Sequence, residues 1–89
     1  VIWRIDFSAS AQKFLKKNNL EENFVIDKVS STIRKFKGER VNSDVKKLGG
    51  AWDGFYRVRS GRLRIIVEFR FERSVAYIEV IDWRGNVYK

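Results

Sequence analysis

The spacing of apolar residues changes period along this chain, and each change marks an element. From Val1 to Phe7, Trp3, Ile5 and Phe7 alternate with Ile2, Arg4 and Asp6, the pattern of a half-buried strand. Ser8 or Ser10 then offers a helix N-cap, and Ala11, Phe14 and Leu15 follow at helical spacing. Lys16 and Lys17 stand where the negative end of a helix dipole favours cations, and Asn18 and Asn19 break the pattern. Asn19 with Glu22 three residues on predicts a capping box for a second helix. Its apolar stripe is Phe24, Val25, Val29, Ile33 and Phe36, read as a core face rather than a docking groove. Glu21, Glu22 and Asp27 come early, Arg34, Lys35 and Lys37 late, and Gly38 supplies a left-handed stop.

Residues 38–53 are the least regular stretch, and Gly49, Gly50 and Gly54 predict a turn-rich connection into a sheet. Period-2 alternation then predicts strands over about Phe55–Arg59, Arg62–Phe71 and Ser74–Trp83, with turns at Ser60-Gly61 and Glu72-Arg73. The expected architecture is a single α+β domain over residues 1–89. It consists of an N-terminal strand, two helices and a three-stranded antiparallel meander, with the helices packed on one sheet face. No internal repeat, low-complexity tract or linker interrupts it.

Composition narrows the chemistry. Nineteen Lys and Arg against 11 Asp and Glu give a net charge of +8, which favours nucleic acid or an acidic protein as partner. The chain has no cysteine and no histidine. That excludes disulfides, thiolate nucleophiles, Cys-based zinc sites and Ser/His/Asp or Cys/His catalysis. With no His or Cys ligands and no clear carboxylate cluster, neither a metal nor a cofactor is expected. No apolar run reaches the roughly 18–20 residues of a membrane span. The first residues read as a strand rather than a signal peptide. The sequence also lacks methionine, so the initiator was removed or lies outside these residues. A cytoplasmic location is the default expectation.

The distinctive signal is in the last third. Arg57, Arg59, Arg62 and Arg64 interleave with apolar and aromatic residues. On strands, successive side chains take opposite faces, so several arginines can line one face while their neighbours pack on the other. Such a face suits a polyanion, and RNA is the first to consider.

These landmarks resemble the RelE/ParE superfamily of small toxins, and more closely its RelE ribonuclease branch. Lys47-Leu48-Gly49 followed by Tyr56-Arg57-Val58-Arg59 is similar to the family's K-L-x-G … Y-R-V-R run. Gly61-Arg62-Leu63-Arg64-Ile65-Ile66 resembles its G-x-Y-R-I-I/V-Y strand, and Arg84-Gly85-Asn86-Val87-Tyr88 its terminal H-R-x-x-V-Y. The resemblance covers the whole chain in element order, with the specific motifs in residues 46–89. It implies the toxin of a type II toxin–antitoxin system: an mRNA interferase that cleaves mRNA in the ribosomal A site, inhibits translation and is neutralised by a cognate antitoxin. It also implies that Arg64 is the central catalytic arginine, with Arg84 and Tyr88 as further catalytic positions. Arg57, Arg59 and Lys47 would engage the RNA. Trp83 stands where many members carry a basic residue and is a candidate for stacking on a base or ribose.

In such a cleavage the 2′-hydroxyl attacks the adjacent phosphorus and the 5′-oxygen leaves. Guanidinium groups suit the phosphorane, being planar, multidentate and always charged. They are poor proton shuttles for the same reason. Tyr88 is the first candidate for that task, with Lys47, Lys89, Glu68 and Glu79 behind it. Tyr56 and Tyr77 are expected in the core. Two other readings share these features: a ParE-type toxin acting on DNA gyrase, and a non-catalytic RNA- or antitoxin-binding module.

Overall fold

Five strands and two helices are laid out along residues 2–83, the part of the chain that this computed structural model describes. They are β1 (Arg4–Phe7), α1 (Ala9–Lys17), α2 (Glu22–Phe36), β2 (Asp44–Lys47), β3 (Phe55–Ser60), β4 (Leu63–Arg70) and β5 (Val75–Trp83). The strands form one sheet in the order β1-β5-β4-β3-β2. β1 runs parallel to β5, and every other pairing is antiparallel. The expected α+β class and the β3–β5 meander hold.

The N-cap of α1 is Ser8, whose hydroxyl accepts from Ala11 N–H at 3.0 Å. The helix ends at Asn18, and Asn19 takes φ 54°. Asn19 N–H reaches Lys16 O and Leu20 N–H reaches Leu15 O, the paired bonds of a Schellman motif. Asn19 therefore closes the first helix and does not cap the second. The N-cap of α2 is Glu21, without a side-chain cap bond. An apolar-period reading sees the acidic residue three positions on but not the left-handed backbone that takes Asn19 out of the capping position. Gly38 ends α2 as expected, at φ 93°, with Gly38 N–H on Lys35 O and Glu39 N–H on Arg34 O.

The irregular stretch contains a strand the spacing did not predict. β2 pairs with β3 over Asp44–Lys47, where only Val45 is apolar and turns inward. A mostly charged edge strand carries no hydrophobic alternation, so its sequence reads as loop. Its anchor is polar. Thr32 is fully buried on α2 and donates to Lys28 O at 3.0 Å, and Ser43 Oγ lies 2.6 Å from Thr32 Oγ1. With the Thr32 proton given to Lys28 O, Ser43 is the donor of the second bond. Lys35 Nζ donates to Ser43 O at 2.9 Å.

The core lies between the helices and one sheet face. Ala11, Leu15, Val25, Val29 and Ile33 pack against Val58, Leu63, Ile65, Val67, Phe69, Ala76, Ile78 and Ile81. Tyr56 joins this side as expected, with its ring 5.3 Å from Phe36 and 5.4 Å from Phe69. The β3–β4 hairpin turns on Gly61-Arg62, one residue later than predicted, since Ser60 still pairs with Leu63. Gly61 has φ 59°, the positive value a type II′ turn requires at its first central position.

One irregularity governs the other face. The β4–β5 register shifts between Ile66 and Val67, because Ile66 faces Val80 while Val67 faces Ile78. Glu79 is thus the extra residue of a β-bulge, and the inward phase of β5 changes from Ala76 and Ile78 to Ile81 and Trp83. The bulge carbonyl, Glu79 O, accepts from Ser8 Oγ at 2.7 Å and Ser10 Oγ at 3.2 Å. The start of α1 therefore holds the bulge in place.

Candidate nucleic-acid interface

Residues that alternate with the core positions all emerge on the sheet face away from the helices. The register arranges them in rows across the strands. One row reads Asp44, Arg59, Arg64, Asp82 from β2 to β5, and the next reads Lys46, Arg57, Ile66, Val80. A third carries Phe55, Glu68, Tyr77 and Asp6. Arg57, Arg59 and Arg64, predicted to share a face, do so on neighbouring strands.

Arg59 and Arg64 sit directly opposite each other. Like charges so placed repel, and the two aspartates at the ends of the row oppose that repulsion. Asp44 does so by direct bonds, accepting from Arg57 Nη2 and Arg59 Nε, each at 2.9 Å, one on each carboxylate oxygen. The hydrogen bond from Arg59 lowers the Asp44 carboxyl below the ordinary aspartate range, so it is anionic at neutral pH. Arg57 is the more buried of the two arginines, with a side chain 12% exposed. Its Nε is buried with no hydrogen-bond partner among the described residues. Asp82 Oδ1 accepts from Trp83 N–H at 2.7 Å, which fixes that carboxylate next to the Arg64 position.

Other predicted site residues fall elsewhere. Lys47 faces Tyr56 in the ladder, on the helix side, and it is Lys46, opposite Arg57, that joins the arginine face. Trp83 faces Leu63 and packs edge-on against Phe14 of α1, with ring centroids 5.4 Å apart. Without the bulge, alternation through β5 would place Trp83 among the arginines and Asp82 inside; the bulge exchanges them. Tyr77 is moved in the opposite sense to expectation, lying opposite Glu68 on the open face rather than in the core. Glu68 is bound to Arg70 at 2.8 Å and stands two rows from Arg64. Glu79 is the bulge residue. Arg84, Tyr88 and Lys89 lie outside the described residues.

Besides Lys46, the contributors not singled out from sequence are Asp44, Asp82 and the aromatic pair at the β3 margin. Phe55 shares the open face with Arg57, and Trp52 packs edge-on against it at 5.4 Å. Among the described residues no group of three or more His, Cys, Asp or Glu side chains could hold a metal ion. Among the described residues no helix is long and apolar enough to cross a membrane.

This arrangement of sheet and helices recurs in solved structures. A chain of the archaeal RelE–RelB complex from Pyrococcus horikoshii matches at 24% identity with a TM-score of 0.66, covering 97% of this chain and 99% of that one. The chain has the RelE-type toxin fold. The E. coli DinJ–YafQ toxin–antitoxin complex contains a chain matching at 13% identity and TM-score 0.68, with both chains covered in full. A metal-bound toxin from Helicobacter pylori matches at 12% identity and TM-score 0.71, over 98% of this chain and all of that one. No protein-family model and no curated protein matches the sequence. The RelE-type likeness is thus a likeness of the backbone fold.

Proposed function

We propose that this protein is the toxin of a toxin–antitoxin pair and acts as an endoribonuclease on mRNA held in the ribosomal A site. The observation that carries the proposal is the arginine row: Arg59 and Arg64 face each other, with Arg57 beside them, on the sheet face opposite the helix-packed core. Three guanidinium groups within neighbouring ladder positions can hold the non-bridging oxygens of one phosphate. In the reaction the 2′-oxygen forms a bond to phosphorus, the bond to the 5′-oxygen breaks, and a 2′,3′-cyclic phosphate results. Negative charge grows on the phosphorane between those events, and donors already aimed at it stabilise the transition state more than the ground state. Arg64, at the centre of the face, carries most of that role. Arg57, Arg59 and Lys46 mainly engage the backbone.

By the family resemblance, proton transfer falls to Tyr88, with Arg84 as a further catalytic position. Weak acid–base chemistry is offset when the ribosome holds the mRNA with the 2′-hydroxyl in line with the phosphorus, since orientation alone contributes several kcal/mol. The antitoxin fits as a second partner. An acidic, amphipathic segment would meet both the basic face and the shallow apolar groove formed by Trp3, Ile33, Phe36 and Phe71 on the other side. Two of the similar solved structures are complexes of RelE with RelB and of YafQ with DinJ.

The test is cell-free translation with the purified protein, followed by primer extension on the message. Cuts within the A-site codon, absent from the same mRNA without ribosomes, are expected. An intact message together with trapped gyrase cleavage complexes would assign the protein to the DNA-directed branch instead.

A further inference from the structure

The arginine face already holds an anion, and that anion belongs to the chain. Asp44 places one carboxylate oxygen on Arg57 and the other on Arg59, the same two-point grip two phosphate oxygens would make. The geometry of exposure gives the order of encounter. Asp44 is 51% exposed, Arg59 27% and Arg57 12%, so an incoming anion meets the carboxylate before the guanidiniums beneath it.

The edge strand has anchors besides this carboxylate. β2 is held by Ser43, through Thr32 and Lys35 of α2, and by its ladder to β3. The Asp44 side chain is on an edge strand and can rotate into solvent. Meanwhile the grip leaves Arg57 Nε without an acceptor among the described residues. One carboxylate thus satisfies only part of what the two arginines offer, whereas a phosphate brings more oxygens and more charge.

We propose that Asp44 is a built-in competitor for the phosphate seat, and that RNA binds this face by displacing its carboxylate from Arg57 and Arg59. The proposal rests on the arginine face being the RNA site. It opposes the alternative in which Asp44 holds the two arginines in their working positions, because the two predict opposite signs. Displacement means that removing the charge tightens RNA binding. Positioning means that removing it loosens binding.

The experiment is a fluorescence-anisotropy titration with a labelled 2′-O-methyl oligoribonucleotide, which binds but cannot be cleaved, at fixed low ionic strength. Asp44→Asn and Asp44→Ala are expected to bind roughly three- to thirtyfold more tightly than the wild type, the range that loss of two exposed ion pairs allows. Asp44→Glu restores the charge and should return affinity toward the wild-type value. Adding Arg57→Ala and Arg59→Ala should abolish the gain, since there is then no seat to vacate. If the arginine substitutions weaken binding but Asp44→Asn binds as the wild type does, or more weakly, displacement is wrong while the RNA face stands. If the arginine substitutions leave binding unchanged, the RNA face itself is wrong and the proposal goes with it. Thermal melts of each variant confirm that the edge strand remains folded.

Discussion

Ser8→Ala tests how the arginine face is set, because one hydroxyl caps α1 and also holds the β5 bulge. Ser8 Oγ accepts from Ala11 N–H at 3.0 Å and donates to Glu79 O at 2.7 Å, and the residue is only 7% exposed. Loss of an N-cap costs about 1 kcal/mol. Leaving a buried carbonyl short of its best donor costs about 1–3 kcal/mol. Ser10 still reaches Glu79 O at 3.2 Å, so the second cost falls near its lower end and the sum is about 2 kcal/mol. For a domain of this size that lowers Tm by roughly 8–16 °C. Differential scanning calorimetry provides the measurement, with two controls. Ser10→Ala removes the longer, exposed bond to Glu79 O and the 3.3 Å contact with Ser8 Oγ, and should shift Tm by a few degrees at most. Ser8→Asp keeps an acceptor for Ala11 N–H but cannot donate when ionised, so it should be destabilised despite retaining the cap. A Ser8→Ala protein melting with the wild type, or a Ser10→Ala protein that loses as much, would refute the dual role.

Three further outcomes are expected. NMR titration should find the Asp44 carboxyl titrating below the ordinary aspartate value of about 3.9, and Arg59→Ala should raise it. Because the folded value is depressed, the stabilisation from this pair is present above the unfolded value and is lost as pH falls through the folded one; an unshifted titration would remove the ion-pair assignment. Tyr88→Phe should slow single-turnover cleavage on programmed ribosomes by about tenfold or more while leaving ribosome affinity nearly unchanged, and a wild-type rate would move proton transfer to another group, with Asp82 next to be tested. Antitoxin association should weaken steeply with added salt; a flat salt dependence would argue for a purely apolar interface.

The sequence reading and the structure part company where backbone irregularity, rather than side-chain period, decides the outcome. Val25, Val29 and Ile33 of the α2 stripe, the Gly38 stop and the shared face of Arg57, Arg59 and Arg64 follow from spacing and are present, whereas Phe24 of that stripe stays exposed, with Lys28 over its ring. β2 escaped because an edge strand needs no apolar alternation; its placement comes from hydrogen bonds to Ser43 that no periodicity reveals. Lys47 was favoured over Lys46 by its motif, yet the register with Tyr56 turns it to the helix side. Trp83, Tyr77 and Asp82 were misplaced or passed over because the bulge at Glu79 shifts the phase of β5 partway along. One signal for that bulge was available: Tyr77 through Ile81 offers apolar residues in both phases, so alternation there cannot choose a face. Asp44 in the sequence reads as charge balance, and only the ladder and its hydrogen bonds place it on Arg57 and Arg59.

The central claim is that the arginine face performs RNA chemistry, with Arg64 at its centre. Its most direct test is single-turnover cleavage of mRNA on programmed ribosomes at saturating protein, comparing the wild type with Arg64→Ala and verifying the variant's fold by its thermal melt. The expected result is a fall in the cleavage rate of about 10²-fold or more, the scale for losing a main transition-state donor, in a protein that still folds and still binds ribosomes. A folded Arg64→Ala protein that cuts at the wild-type rate would contradict the account.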